Sequence, residues 1–324
     1  MSGPNKHRDR VVAVISSFNP SDELIQHCEQ LASQVSEIVV VDDGSDDTAA
    51  GVLAALEDAE VTVVRLGQNM GIGAAMNAGF EQARVREAEL VVTFDQDSDA
   101  PEGFVDALVD EYDRLVGTGL RVGMVAPEFF SATPQTRIEQ TREYLEAYAP
   151  IQSGLLMPLA VINELGPQRA DYFIDLIDSE YYFRAQRAGH AAASVPGLTL
   201  PHGFGNRLYV HAFGRRLRKT DGRPRMVAVS TPFRYYYRVR NRVVMNREYA
   251  RKSDLRKQIR RDTRSDILLD FGVALYSAKG KFALLRLMLA GWRDGLRGRL
   301  GKMPNKAATL AAKVSWRHPV EREA

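Results

Sequence analysis

Carboxylates stand at the ends of two strongly apolar segments of this 324-residue chain. The segment VVVDDGSDDT begins at Val39 and ends in acids that include Asp42 and Asp43, and TFDQDSDAP at 93–101 follows another apolar run. A continuous Val/Ile run predicts a strand buried on both faces, and ligands of open parallel sheets bind beyond the carboxyl ends of the strands. The two segments therefore predict a crevice for a cation and a hydroxylated or phosphorylated ligand, with Asp42 and Asp43 as candidates for hydrogen bonds to a ribose or base.

The second acidic segment has the spacing of a divalent-cation site. Alternation along a strand predicts that Asp95 and Asp97 lie on one side and Gln96 on the other. Two such carboxylates can share a hard cation, which in turn neutralises a diphosphate. Asp99, in the following turn, is interpreted as a helix cap before Pro101.

Further candidates lie downstream. Asp175 and Asp178 precede an amphipathic helix within FIDLIDSEYYFRAQRAGH at 173–190. One interpretation is a general base that withdraws the proton of an acceptor hydroxyl, and the other is a set of acids that complement a helix dipole. His202, in TLPHGFGN, is either a structural histidine or a third protein ligand for a metal such as manganese.

The elements that must position these residues alternate between strands and helices, which predicts an α/β fold with a mostly parallel sheet. Strands are predicted at 11–16, 37–41, 61–66, 90–94, 122–127 and 151–157, and helices at 47–58, 74–87, 102–115, 161–165 and 178–188. Residues 1–10 are expected to be a disordered tail, 11–205 a catalytic domain, and 206–324 a basic, mainly helical region.

Composition bounds the class of protein. The hydrophobic content of 45% is that of a globular protein with a real core, and the single cysteine, Cys28, excludes an internal disulfide. Because no segment resembles a signal peptide or a membrane span, we expect a cytoplasmic protein.

Charge is distributed unevenly along the chain. Residues 1–201 hold 13 Lys and Arg against 32 Asp and Glu, a net charge of −19, whereas residues 202–324 hold 30 against 9, a net charge of +21. This asymmetry predicts either an anionic partner for the second half or a solvated surface that packs on the first.

Taken in order, five segments resemble the inverting nucleotide-sugar glycosyltransferases of family 2, which have the GT-A fold. They are VVAVISSFNP, VVVDDGSDDT, NMGIGAAMNAG, TFDQDSDAP and IDSEYYFRAQRAG. The resemblance implies that Asp42 contacts the base, that Asp95 lies near the ribose or diphosphate, and that Asp97 binds Mn²⁺ or Mg²⁺ with His202 completing the metal site. Asp178 is implied as the catalytic base, with Asp175 as a substitute for the missing first acid of the family's acidic pair, where this chain has Ile177.

The remaining positions implied to bind the nucleotide sugar are Asn19, Asn69, Gly71, Asn77, Gln96, Ser153, Gly154, Arg238 and Arg240. Of these, Arg238 and Arg240 in YYYRVRN could clamp a diphosphate or could belong to a basic helix face. The glycines of the third segment could let backbone amides approach phosphate.

Several segments together look like bacterial rhamnosyltransferases that use dTDP-L-rhamnose to build surface polysaccharides. They are FDQDS, SGLLMP, FIDLIDSEYYFR, PHGFG and YYYRVRN. The implied reaction is a single displacement onto a glycan or polyprenyl-linked acceptor. A donor such as UDP-galactofuranose or a UDP-hexose, or a catalytically silent scaffold of a polysaccharide assembly complex, stays an alternative.

The segment 281–299 carries an apolar stripe with arginines along its flank, which predicts either a helix in the interface of the plasma membrane's inner face or one docked on protein. No nucleic-acid-binding module is recognised in the basic half. A homo-oligomer is possible on these observations.

Overall fold

The computed structural model describes residues 6–136, 143–201, 207–212, 215–218, 222, 224–249 and 255–319. The chain divides into two compact units, the first comprising residues 1–173 and 177–203 and the second comprising 174–176 and 204–324. The short segment 174–176, which contains Asp175, thus belongs to the second unit although it lies within the predicted catalytic domain.

The first unit is built on an eight-stranded mixed sheet. Its strands run in the order β3-β2-β1-β4-β7-β5-β6, and β8 pairs with β5. The strands are β1 (Val11–Ser17), β2 (Glu37–Asp42), β3 (Thr62–Arg65), β4 (Leu90–Asp95), β5 (Val122–Phe130), β6 (Thr133–Pro134), β7 (Leu155–Pro158) and β8 (Ala191–Leu200).

The helices of the first unit follow the strands. They are α1 (Glu23–Ala32), α2 (Ala50–Asp58), α3 (Ile72–Val85), α4 (Phe104–Val116), α5 (Leu159–Leu165) and α6 (Ile177–Arg187), with 3-10 turns at Arg8–Arg10, Asp47–Ala49 and Ala170–Tyr172. Strands β1 to β4 pair in parallel, whereas β7 runs antiparallel to both β4 and β5. All seven residues of β1 are buried, as expected for a central strand covered on both faces. The predicted α/β fold class with a mostly parallel sheet is confirmed.

Three details of the sequence analysis are wrong. Residues 6–10, expected to belong to a disordered tail, include a 3-10 turn at Arg8–Arg10, and Arg10 pairs with Glu89 (2.6 Å). The chain turns directly after Asp95, so Gln96 and Asp97 are turn residues and strand alternation does not decide which way they point. Helix α4 begins at Phe104 with Gly103 as its N-cap, so Asp99 does not cap it.

The second unit is mainly helical. Its helices are α7 (Arg234–Tyr249), α8 (Arg256–Ser265), a π-helix (Asp266–Phe271), α9 (Gly272–Ser277), α10 (Lys281–Leu296) and α11 (Asn305–Ala311). Three short antiparallel pairs accompany them, formed by β9 (Arg207–Tyr209) with β12 (Met226–Ala228), β10 (His211–Ala212) with β11 (Arg215–Arg216), and β13 (Ala278–Lys279) with β14 (Ser315–Trp316). Among the residues described, no helix is long and apolar enough to span a membrane.

Candidate active site

The carboxyl ends of β1, β2 and β4 meet at one edge of the sheet. Parallel pairing places Ser17 opposite Asp42 and Ser16 opposite Asp95, so both predicted acidic strand ends flank the end of β1. The edge lies where ligands bind in open α/β sheets. The sequence-based prediction that these acids share one region of the fold therefore has a direct structural basis in the strand register.

Asp42 is buried and organises the turn that follows β2. Its Oδ1 accepts a hydrogen bond from Ser45 N–H (3.2 Å) and a short one from the Ser45 hydroxyl. This is the local arrangement that aspartate favours in tight turns. Asn19, at the end of β1, is joined to the same loop, because its N–H donates to Ser45 Oγ (2.7 Å) and its Oδ1 accepts from Asp46 N–H (3.0 Å).

Asp43 holds the glycine-containing loop that precedes α3. Its Oδ1 accepts from Met70 N–H (2.6 Å) and its Oδ2 from Gly71 N–H (2.8 Å), and the residue is only 5% exposed. Gly71 has φ +93°, and a Cβ there would lie 2.3 Å from Phe173 O. The loop is therefore pinned on two sides, and Asp43, which was a general candidate for ligand contact, acts as a positioning residue.

Two buried polar atoms in this region have no hydrogen-bond partner within the described part of the chain. They are Ser17 Oγ, on a residue that is 2% exposed, and Asn69 Oδ1 in the loop held by Asp43. Since buried polar groups in native proteins are almost always paired, these atoms mark positions for a polar ligand or water. Sequence analysis missed Ser17, although its place at the end of the first apolar strand, beside the acidic strand ends, could have identified it.

The turn Asp95–Ser98 is supported from below by Ser153. The Ser153 hydroxyl is fully buried, accepts from Asp95 N–H (3.1 Å) and shares a hydrogen bond with Ser98 Oγ (2.6 Å). Gly154 has φ +77°, and its N–H donates to Thr93 O (2.7 Å). Ser153 and Gly154, predicted as ligand contacts, thus build the support of the acidic turn.

Gln96 and Asn77, also predicted to bind the nucleotide sugar, have backbone partners. Gln96 Oε1 accepts from Phe18 N–H (2.7 Å), which joins the acidic turn to the end of β1. The Asn77 amide forms a reciprocal pair with Gln168, with Nδ2 donating to its carbonyl (3.0 Å) and Oδ1 accepting from its N–H (2.8 Å). Each side chain therefore has a structural role that the residue type alone did not reveal.

The acidic turn offers the donor chemistry of a hard divalent cation. Asp95 is half-buried and Asp97 is exposed, so carboxylate oxygens are presented at the edge of the sheet. These are the oxygen ligands that Mg²⁺ and Mn²⁺ accept. Within the described ranges no cluster of three or more His, Cys, Asp and Glu side chains is placed to hold a metal. His202, the predicted additional ligand, lies outside the described residues.

The two candidate bases have different surroundings. Asp178 lies in the first turn of α6, where its Oδ1 accepts from Ser179 N–H (2.7 Å). Asp175, in the second unit, is half-buried and accepts a bidentate bond from Arg234, with a shortest N–O distance of 2.6 Å. The Asp175 carboxylate is thus held in an ion pair within the second unit.

A second acid of the same motif is structural. Glu180 is buried and pairs with Arg184 (2.5 Å), whose Nη1 also donates to Leu165 O (3.0 Å) and Pro167 O (2.7 Å). The pair therefore anchors the segment after α5 to α6.

Arg238 and Arg240 make internal contacts in the second unit, against the predicted diphosphate clamp. Arg240 is fully buried, donates to Gly301 O (2.5 Å), and stacks 4.8 Å from the centre of the Tyr237 ring. Arg238 forms a short ion pair with Asp270. Helix α7 is largely buried here, because the three tyrosines immediately before Arg238 and Arg240 itself are all buried.

Comparisons with known proteins bear on the fold of the chain. The family model for glycosyl transferase family 2 matches residues 12–154. Among solved structures, S. aureus TarS 1–349 in complex with UDP-GlcNAc superposes with a TM-score of 0.57 at 14% identity, covering 93% of this chain and 83% of that one. GalNAc-T7 with UDP, GalNAc and Mn²⁺ gives a TM-score of 0.53 at 14% identity, covering 76% of this chain and 49% of that one. These similarities show the fold, and the family 2 match covers the part of the chain that contains the acidic strand ends.

One relative is similar to this chain along nearly its whole length. The dTDP-rhamnosyl transferase RfbF of Shigella flexneri is 25% identical over 303 residues, which are 90% of this chain and 97% of that protein. The undecaprenyl-phosphate 4-deoxy-4-formamido-L-arabinose transferase of Proteus mirabilis is 36% identical over 127 residues, 35% of this chain, and the match spans only 37% of its own length. The predicted resemblance to family 2 glycosyltransferases and to dTDP-rhamnosyltransferases is confirmed.

Proposed function

We propose that the chain is an inverting, metal-dependent rhamnosyltransferase that takes L-rhamnose from dTDP-rhamnose. The observation that supports the donor is the similarity to RfbF along almost the whole of both chains. The strand register, which places Asp42 and Asp95 on either side of the end of β1, supports a nucleoside-diphosphate site at this edge. The acceptor in this proposal is a bacterial surface glycan or a polyprenyl-linked glycan at the inner face of the plasma membrane.

The first unit's own residues would hold the donor at the sheet edge. Ser17 Oγ and Asn69 Oδ1 are buried and lack partners among the described residues, so they offer hydrogen bonds to the nucleoside or the sugar. Asp43 fixes the loop that carries Asn69, and Ser153 fixes the turn that carries Asp95 and Asp97. Preorganised polar groups of this kind lose little entropy when the ligand binds.

Asp95 and Asp97 fit a divalent cation by donor type. When bound there, Mn²⁺ or Mg²⁺ would offset the negative charge that develops on the departing diphosphate. Asp178 would accept the proton of the acceptor hydroxyl. As it does so, the hydroxyl oxygen attacks the anomeric carbon, and the bond from that carbon to the diphosphate breaks on the opposite face. General-base catalysis contributes about 10²- to 10⁴-fold in rate, which sets the size of the effect to expect.

A panel of nucleotide sugars tests the proposal. Transfer and hydrolysis are measured with dTDP-rhamnose, UDP-galactofuranose and a UDP-hexose, each with Mn²⁺ and with a chelator. We expect selective turnover of dTDP-rhamnose that the chelator abolishes. Turnover of another donor, or full activity with the chelator, would overturn the corresponding part of the proposal.

Two variants test the residues. Asp178→Asn should lower kcat by about 10²- to 10⁴-fold with little change in donor affinity. Asp97→Asn should weaken the binding of Mn²⁺. Asp58→Asn, which neutralises an exposed carboxylate at the end of α2, is the matched control and should match the parent chain in both measurements. Parent-like kcat in Asp178→Asn would remove it as the base.

A further inference from the structure

Helix α10 presents a row of large apolar side chains to solvent. Phe282 is 83% exposed and Leu289 52%. The row, called here the α10 apolar stripe, consists of Phe282, Leu285, Leu289, Trp292 and Leu296. Its members recur at helical spacing along one face, and contiguous exposed apolar surface of this kind marks an interaction site.

The packing of α10 keeps this face outward. The opposite face is buried, and it contains Gly291 and Gly295. A Cβ at Gly291 would lie 2.3 Å from Tyr236 O, and one at Gly295 would lie 2.7 Å from Arg240 O. The two glycines thus let α10 approach the backbone of α7 at two points four residues apart, which fixes its rotation. The stripe is exposed because the other side of the helix is locked in place.

Positive charge surrounds the stripe. Lys281, Arg286, Arg293 and Arg297 are all exposed on α10 or at its end. Among the described residues, Asp294 lies 3.6 Å from Arg293, but it is itself buried and accepts a hydrogen bond from the Tyr236 hydroxyl. The flank therefore keeps a strong net positive charge, in keeping with the +21 of residues 202–324.

The combination identifies the occupant. A second copy docked through the same stripe would bring like-charged arginines together across the contact, which opposes association. An anionic bilayer surface instead satisfies both features, because apolar side chains enter the boundary between headgroups and acyl chains while the cations meet phosphate groups.

We propose that the α10 apolar stripe inserts into the interface of a bilayer that contains anionic lipids, with the helix axis in the membrane plane. The apolar stripe supplies the insertion, and the flanking arginines supply the preference for anionic headgroups. The inference depends on α10 alone, so it holds or fails independently of the donor, the metal and the catalytic base proposed above.

The test is flotation of the full chain with phosphatidylcholine vesicles, with and without phosphatidylglycerol. We expect binding only to the anionic vesicles, weakening as salt is added. Leu285→Glu with Leu289→Glu should reduce binding by more than about tenfold, since two apolar contacts are replaced by anions. The matched control, Val85→Glu with Val116→Glu, also replaces two exposed apolar residues with glutamate, but in the first unit, and should bind as the parent does.

Fluorescence gives a second readout that does not depend on flotation. Trp292 is half-exposed on the stripe, so anionic vesicles should shift its emission to shorter wavelength, and Trp292→Phe should remove the shift. Absence of binding at low salt, equal binding to both vesicle types, or equal losses in the control would each overturn the proposal. Self-association without vesicles that the stripe variant abolishes would also overturn it, in favour of a second copy.

Discussion

Asp43→Asn should weaken nucleotide-sugar binding indirectly, because the Asp43 side chain holds the loop that carries Asn69. The two carboxylate oxygens of Asp43 accept from Met70 N–H and Gly71 N–H at 2.6 and 2.8 Å, and asparagine has nearly the same shape. Its carbonyl oxygen can serve one of these donors, but its NH₂ group must then face the other N–H. A buried donor left without an acceptor costs about 1–3 kcal/mol.

Part of this free-energy cost should appear as weaker ligand binding. The loop can move so that water solvates the unpaired amide, and Asn69 moves with the loop. If the whole cost must be met on binding, affinity for the nucleotide sugar falls by roughly 5- to 150-fold. Calorimetric titration with the donor and Mn²⁺ measures this loss. Amide hydrogen exchange at Met70 and Gly71 measures the loosening directly and should be faster in the variant.

Asp47→Asn is the control, since it removes an equal charge at an exposed position of the neighbouring loop. It should leave both measurements unchanged. Slow exchange at both amides in Asp43→Asn, together with parent-like donor affinity, would refute the reasoning that Asp43 holds this loop.

Three further predictions concern packing. Gly71→Ala should lower Tm far more than Gly67→Ala. Both glycines have positive φ, but a Cβ at Gly71 collides with Phe173 O, whereas a Cβ at Gly67 would meet open space. Equal losses of Tm would show that the collision is relieved. Tyr236→Phe should cost about 1–3 kcal/mol of unfolding free energy by removing the donor to buried Asp294 (2.8 Å), measured by denaturant titration, and an unchanged midpoint would contradict this. Cys28, whose thiol pKa is raised by burial to about 12, should react with a maleimide at pH 8 only as the chain unfolds, and rapid modification of the folded chain would disprove it.

The parallel part of the sheet could be predicted from the sequence because its signal is local. Buried apolar runs identify β1, β2 and β4, the last two ending in acidic turns, and all three lie where expected. Strand β8 was missed because Pro196 and Gly197 stand in its middle and are typical of turns. The structure accommodates them at an irregularity in its pairing with β5, where Val195 and Thr199 face residues only two apart. That accommodation depends on the partner strand, which no local pattern reveals.

The candidate site was predictable in residue type and less so in role. Asp42 and Asp43 are adjacent identical residues, yet one organises its own turn and the other holds a loop 27 residues away. Asn77 and Ser153 are polar enough to contact a ligand, but their side chains form hydrogen bonds with the backbone of Gln168 and Asp95. Sequence spacing cannot separate these roles, because hydrogen-bond partners are set by tertiary packing.

The turn before α6 has a backbone conformation that tertiary contacts set and that the sequence alone does not reveal. Phe173, Asp175 and Leu176 all have φ between +64° and +67°, where residues with a side chain are uncommon and strained. The second unit holds Asp175 through Arg234 and through Asn241, whose Nδ2 donates to the carbonyls of Ile174 (2.9 Å) and Asp175 (2.8 Å). Strain of this kind persists only where several contacts enforce it. Its place immediately before Asp178 is therefore a structural reason, separate from the motif, to regard the start of α6 as functional.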